Sequence, residues 1–395
     1  MRLPQVLLSV FFFFFFAGKV SANTDLIQSD NTADFNIAVL DMHEYYNPST
    51  RNEFVAKMSE ALQEVGFFAV INARIDNEIV DKAYSASKEF FSLNYGTKKK
   101  CEMLTHSRQR GYAPIGEDIP GGHHIADFKE FYHVGRELTE EQKKRLGYFA
   151  NIWPEDMLLG KPMVALYKEL EAYVLPLQHA FAQAIDQDYD IFTDMTREGD
   201  SLLRMIHFPY LKKDGRRGRV WSKPHTDIDL FTILPRATAI GLQIQMKDGN
   251  WATVSTPPNA FIVSAGNMLE NITNGYFRSA VHRVVALADH RYERFSMAFY
   301  VHPRSDVNLE PLPTCVALTG GKKLYAKASR WELLMEKLTE LGLATPDLLQ
   351  ELADSELMER QIEVGRVSVG AMKQLKENAL ASPTVLRELE KRDED

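Results

Sequence analysis

Three side chains in this 395-residue chain have the types and spacing to hold a metal while leaving it open to chemistry: His225, Asp227 and His282. His225 and Asp227 stand two residues apart in Lys223-Pro-His-Thr-Asp-Ile-Asp-Leu-Phe-Thr-Ile-Leu234. On an extended backbone side chains alternate faces, so this pair is expected to point to one side. His282 lies in a second strand-like run, Arg278-Ser-Ala-Val-His-Arg-Val-Val285. Two histidines and a carboxylate cover one face of a metal and leave the other free, a donor set suited to non-haem Fe(II) and O2. Plainer roles stay open for each. Asp227 could cap a turn, with Asp229 as a competing carboxylate, and His282 could be a core histidine in a β run.

Arg294-Phe-Ser296 follows closely. In a strand Arg294 and Ser296 share a face, and a guanidinium beside a hydroxyl makes a clamp for a carboxylate. Pairing of Arg294 with Glu293 or Asp289 is the alternative. The adjacent His123 and His124 lie in a Gly-rich stretch with no fixed geometry and do not read as a metal site.

The elements that must position these groups can be read from periodicity. From Ser201 onward, short apolar runs alternate with turn residues: Leu202–Phe208, Leu230–Leu234, Gly241–Met246, Trp251–Val254, Ala260–Ser264, Ser279–Leu287 and Phe295–Val301. Short strands at this spacing predict a sandwich or barrel. Lys247-Asp-Gly-Asn250 reads as a hairpin turn and Asn274-Gly275 as a tight turn. Before this core, residues 35–41 and Phe67–Ile71 read as strands, and residues 51–66 and Asp76–Ser92 as helices. Asp127–Tyr132 starts a strand, and Lys161–Asp186 is a long helix that Pro176 should kink. After Cys315 the pattern is helical, with Leu324–Leu341 first and later segments near Pro346–Met358, Val369–Asn378 and Pro383–Lys391.

Composition is that of a globular protein, 45% hydrophobic and 25% charged. A net charge of −8 argues against nucleic acid as the main partner. The basic runs Lys98–Lys100 and Lys212–Arg219 read as solvated loops. Cys101 and Cys315 lack metal or redox spacing and read as two free thiols. The N-terminus opens with one positive charge and an apolar run ending in Val20-Ser-Ala22, the pattern of a cleaved secretory signal. Export to a secreted or luminal location follows, with no stable membrane association after cleavage. A membrane anchor and a cytoplasmic location are the alternatives. The expected organisation is a signal peptide 1–22, a linker 23–34, an N-terminal mixed module 35–200, a core 201–315 and a helical extension 316–395.

Several segments occur together in one order: Gly66-Phe-Phe-Ala-Val-Ile-Asn72, Arg110-Gly-Tyr-Ala-Pro114, Asp127-Phe-Lys-Glu130, the His225/Asp227 segment, Asn274-Gly275 through His282-Arg-Val284, and Arg294-Phe-Ser296. On these the chain resembles the isopenicillin N synthase-like branch of the 2-oxoglutarate and Fe(II)-dependent dioxygenases. The resemblance implies a mixed α/β protein, mainly β in its core. That core would be a double-stranded β-helix (jelly roll) with an N-terminal α/β module; the helical C-terminal extension read from periodicity after about residue 316 is longer than usual for the family. It implies Fe(II) on His225, Asp227 and His282, 2-oxoglutarate on Arg294 and Ser296, and O2 as oxidant. A small organic substrate would then be hydroxylated, desaturated or cyclised with release of succinate and CO2. Two rivals keep the fold: an iron oxidase whose Arg294/Ser296 hold the substrate's own carboxylate without 2-oxoglutarate, and a non-catalytic metal-binding jelly roll. The chain departs from the branch at Phe208-Pro209, where relatives often place a tyrosine, and at Gly266-Asn267, where many have Gly-Asp.

Overall fold

The structure, a computed structural model, describes residues 34–103, 109–116, 127–155, 159–210, 220–286 and 292–394. The expected signal peptide and most of the linker, the His123-His124 pair and the Lys212–Arg219 run lie outside the described residues.

Thirteen strands are described. The N-terminal part contributes β1 (Asp34–Asn36), β2 (Val39–Asp41), β3 (Phe67–Ile71), β4 (Gly111–Ala113) and β5 (Glu130–Gly135). The core adds β6 (Leu202–Phe208), β7 (Ser222–His225), β8 (Phe231–Leu234), β9 (Leu242–Gln245) and β10 (Trp251–Ser255). It ends with β11 (Phe261–Ala265), β12 (His282–Val284) and β13 (Arg294–Val301). They form two sheets, β1-β10-β9-β12-β7 and β2-β3-β11-β8-β13-β6-β5-β4. This is the expected jelly roll, with mixed α/β surroundings. Each core run read from the sequence has its strand.

Local chemistry explains the N-terminal elements. The helix Arg51–Glu64 ends before Gly66, whose φ of +79° suits glycine. A Cβ on Gly66 would also overlap the Arg278 carbonyl, so the glycine lets β3 pass close to the segment leading to His282. Asp76 caps Asn77–Ser92 by accepting from the Glu78 amide. The long helix Gly160–Ala184 runs through Pro176 and buries Met163, Leu166, Leu170 and Leu177. Its Tyr167 and Phe181 meet Phe299 and Phe231 edge-on, at ring separations of 5.0 and 5.1 Å, under the larger sheet.

Four details differ from the sequence expectation. Residues 35–41 form two short strands in different sheets, with the last residue of the expected linker, Asp34, already paired with Thr253. The strand around His282 covers only His282–Val284, because the Ser279 amide and hydroxyl turn to Glu270 and Asn267 instead of a ladder partner. The first tail helix starts at Arg330 rather than Leu324: Ser329 and Glu332 close a capping box there. Lys98 is buried on Glu130 at 2.8 Å rather than solvated.

The tail is continuous with the rest of the protein. Leu333, Met335, Leu352, Leu357 and Met372 belong to the same apolar cluster as Phe231 and Phe299. Asn271 donates to the carbonyls of Leu309 and Ala326, tying the core to the strap that leads into the tail. Its buried amide is thereby committed to structure. Both cysteines are free and buried.

Candidate active site

β12 lies antiparallel to β7 with His282 directly opposite His225. Neighbouring strands thus supply both imidazoles from the smaller sheet, as the sequence predicts. Asp227 arrives differently. β7 ends at His225, and Asp227 lies in the turn beyond it, where its carbonyl accepts from the Asn267 amide. Nitrogen and oxygen atoms of the three side chains lie within 4.8 Å of one another.

The hydrogen bonds around this trio aim its lone pairs. Nδ1–H of His225 donates to the Lys223 carbonyl at 2.7 Å, and Nδ1–H of His282 donates to the Ala280 carbonyl at 3.2 Å. Binding one ring nitrogen to a carbonyl fixes the tautomer and leaves the other as a lone-pair donor. The two Nε2 atoms stand 3.9 and 3.7 Å from Asp227 Oδ1. Asp227 Oδ2 accepts from Thr232 Oγ1 at 2.6 Å, which leaves Oδ1 as the inward oxygen. Burial, and then the neighbouring His282, push His225 down to about 3, so its imidazole is neutral as a metal ligand must be. Burial works to raise the Asp227 carboxyl, but its surroundings, the Thr232 hydrogen bond and the Arg204 guanidinium among them, hold it below its usual range. Two imidazole nitrogens and one carboxylate oxygen therefore converge, which fits a divalent iron with open positions.

The larger sheet supplies the opposite wall. Arg294 faces Phe208 and Ser296 faces Ile206 across the β13–β6 pair. These residues line a cavity of about 480 Å³ together with His225, Asp227 and His282. All five residues singled out in the sequence thus line one space, four of them from strands of the two sheets and Asp227 from the turn after β7. Arg294 is 5% exposed. Its Nε donates to the Ala239 carbonyl at 3.0 Å, while Nη1 is buried with no partner. Its guanidinium lies 5.0 Å from the Phe208 ring centre, so the residue replacing the expected tyrosine stacks on the arginine instead of donating a hydroxyl. Glu293 turns to His207, so it does not neutralise Arg294.

Other residues at the site were not singled out in the sequence. Lys129 and Arg204 line the same cavity. Lys129 donates to Asp127 and Ser222, and Asp127 also accepts from the Lys223 amide, so the Asp127–Glu130 segment braces β7. Arg204 had a usable signal, being the lone cation in the apolar run Leu202–Phe208.

Residues 199–303 match the family described as the 2OG-Fe(II) oxygenase superfamily, and residues 37–156 match the N-terminal family of non-haem dioxygenases in morphine synthesis. Kihadalactone A synthase of Citrus sinensis is 31% identical over 79% of this chain and 94% of its own length. Azadirone synthase of Melia azedarach is 29% identical over the same shares. A 2OG-Fe(II) oxygenase family protein of Caulobacter crescentus, of known structure, is 28% identical with a TM-score of 0.69, covering 78% of this chain and 99% of that one. Enzymes of this family are oxidoreductases that use Fe(II), 2-oxoglutarate and O2, and with its two matched regions and its convergent His-Asp-His cluster this chain belongs to the 2OG-Fe(II) oxygenase superfamily.

Proposed function

We propose that the enzyme oxidises a C–H bond of a small organic molecule, giving hydroxylation, desaturation or ring closure, with iron on His225, Asp227 and His282 and 2-oxoglutarate on Arg294 and Ser296. One observation carries the assignment: the inward lone pairs of the trio and the unpartnered Nη1 of Arg294 face the same cavity. A buried guanidinium nitrogen without a partner is costly, and a carboxylate would satisfy it. Bound Fe(II) and 2-oxoglutarate supply the oxidant from O2, with succinate and CO2 released.

The protein's own part is placement and exclusion of water. His225 and His282 offer Nε2 because backbone carbonyls hold their Nδ1 protons. Thr232 holds Oδ2 of Asp227 away from the metal side. Arg294, fixed by Ala239, and the Ser296 hydroxyl orient the co-substrate's distal carboxylate. Ile206, Leu242, Val284 and Phe208 line the cavity with apolar surface that limits water around the reacting groups.

The test has two arms. Anaerobic addition of 2-oxoglutarate to the Fe(II)-loaded protein is expected to give a metal-to-ligand charge-transfer band, and O2 should then yield succinate. Absence of both would leave the oxidase that dispenses with 2-oxoglutarate. His225→Ala and His282→Ala are each expected to abolish iron retention, and normal iron stoichiometry in both would overturn the ligand assignment.

A further inference from the structure

A second cavity, of about 170 Å³, shares His225, Asp227, Lys129 and Arg204 with the first and is walled by the tail helix Arg330–Glu340. His225, Asp227, Arg204 and Arg330 line it together with the apolar Leu334 and Leu338. Its volume is below the ~300–1,000 Å³ of typical ligand pockets, so it suits a small molecule or part of one.

The charges around it do not balance among the described residues. Lys129 is held by Asp127 at 2.8 Å, and Lys337 by Glu340 at 2.9 Å. Asp227 faces the metal position. Two guanidiniums are then left without a carboxylate of their own. Arg204 donates Nε to the His133 ring at 2.7 Å and lies over the rings of Phe131 and Tyr300, none of which is negative. Arg330 is 5% exposed and its Nε has no partner. The carboxylate that acts on it, Asp200, is already bonded to Arg110. A buried cation kept without a counter-charge is costly, and an anionic ligand removes that cost.

We propose that the substrate is a small carboxylic acid whose carboxylate is taken by Arg204 and Arg330, with its apolar part against Leu334 and Leu338 and near the metal position. This rests on the proposed function, since it assigns Arg294 and Ser296 to 2-oxoglutarate and this second cavity to the substrate. The tail helix is then a specificity element, and Arg330 at its first turn is the residue that selects acids.

The probes are short aliphatic and aromatic monocarboxylates, each paired with its primary amide. They are added anaerobically to the full chain loaded with Fe(II) and 2-oxoglutarate, with calorimetry for affinity and the charge-transfer band for the metal site. Acids are expected to bind about tenfold or more tighter than their amides, the difference one charge-assisted contact makes. Arg330→Met should remove that preference, while Arg330→Lys, which keeps the charge and checks folding, should retain part of it. Equal affinity for acids and amides, or no binding of any acid, with the band intact, overturns the proposal. Loss of the band in Arg330→Met and Arg204→Met instead would assign these arginines to 2-oxoglutarate and also overturn it. No band in the unaltered protein would strike the underlying function, a failure distinct from these.

Discussion

Asp229, two residues past Asp227, shows how residues of one type take opposite states in one turn. Thr232 Oγ1 lies 2.6 Å from Asp227 Oδ2 and 2.8 Å from Asp229 Oδ2. A hydroxyl has one proton to give, so one of the two contacts must run the other way. Burial, and then the neighbouring Asp227, push the Asp229 carboxyl well up. Asp229 is therefore the protonated partner: it donates to Thr232, which donates to Asp227. Gly266 makes room for this arrangement. A Cβ at that position would overlap both Asp229 Oδ1 and the Asp229 carbonyl oxygen, which is why glycine is needed although its φ of −96° is ordinary. Gly266→Ala is expected to cost roughly 1–3 kcal/mol, the usual range for overpacking, and to weaken iron retention. A urea titration and an iron assay check this, and an unchanged midpoint with full iron would refute the packing argument. The sequence singled out His225, Asp227, His282, Arg294 and Ser296, which share one cavity, because residue type and spacing are legible without coordinates. It left Asp229 as a competing carboxylate, because a proton's location depends on burial.

At the scale of elements, strands were easier to read than what ends them. β6 and β3 have the bounds their apolar runs suggest, since both faces are buried and every residue carries the signal. The carboxylate of the trio was placed by period-2 alternation, yet Asp227 stands past the strand end and converges through a turn. The tail helix is another case where side-chain contacts decide. Within Arg330–Glu340, burial is the largest influence on the Glu336 carboxyl and, with Glu340 beside it, raises it to about 7, against the Gln361 amide that donates to it. The folded form thus holds its proton to higher pH than the unfolded chain. Stability from this group is present below pH 4.5 and is lost as pH rises towards 7. Glu336→Gln should flatten that part of the stability profile, measured as urea midpoints across the same window. Parallel profiles for both proteins would show that Glu336 does not set the slope. Because this helix walls the second cavity, its docking also bears on substrate binding.

The molecule as a whole joins segments that are far apart in sequence. β2 and β3 extend one end of the larger sheet and β5 and β4 the other, while β1 edges the smaller sheet. The N-terminal part therefore completes the core rather than standing beside it, which local periodicity has no means of showing. Among the described residues no helix is long and apolar enough to cross a membrane. The question of location falls on residues 1–22, with their single early charge, phenylalanine run and Val20-Ser-Ala22. β1 begins at Asp34, so cleavage after Ala22 would leave every described residue of both sheets in place. We propose that this segment directs export and is cut there, although Fe(II) and 2-oxoglutarate are typically cytosolic supplies. In a secretion-competent host, mass spectrometry should find a mature chain starting at Asn23, and its urea midpoint should equal that of a chain expressed from residue 23. A product that keeps Met1 and stays in the cytosol would overturn export, and a full-length product that sediments with membranes would show an anchor instead.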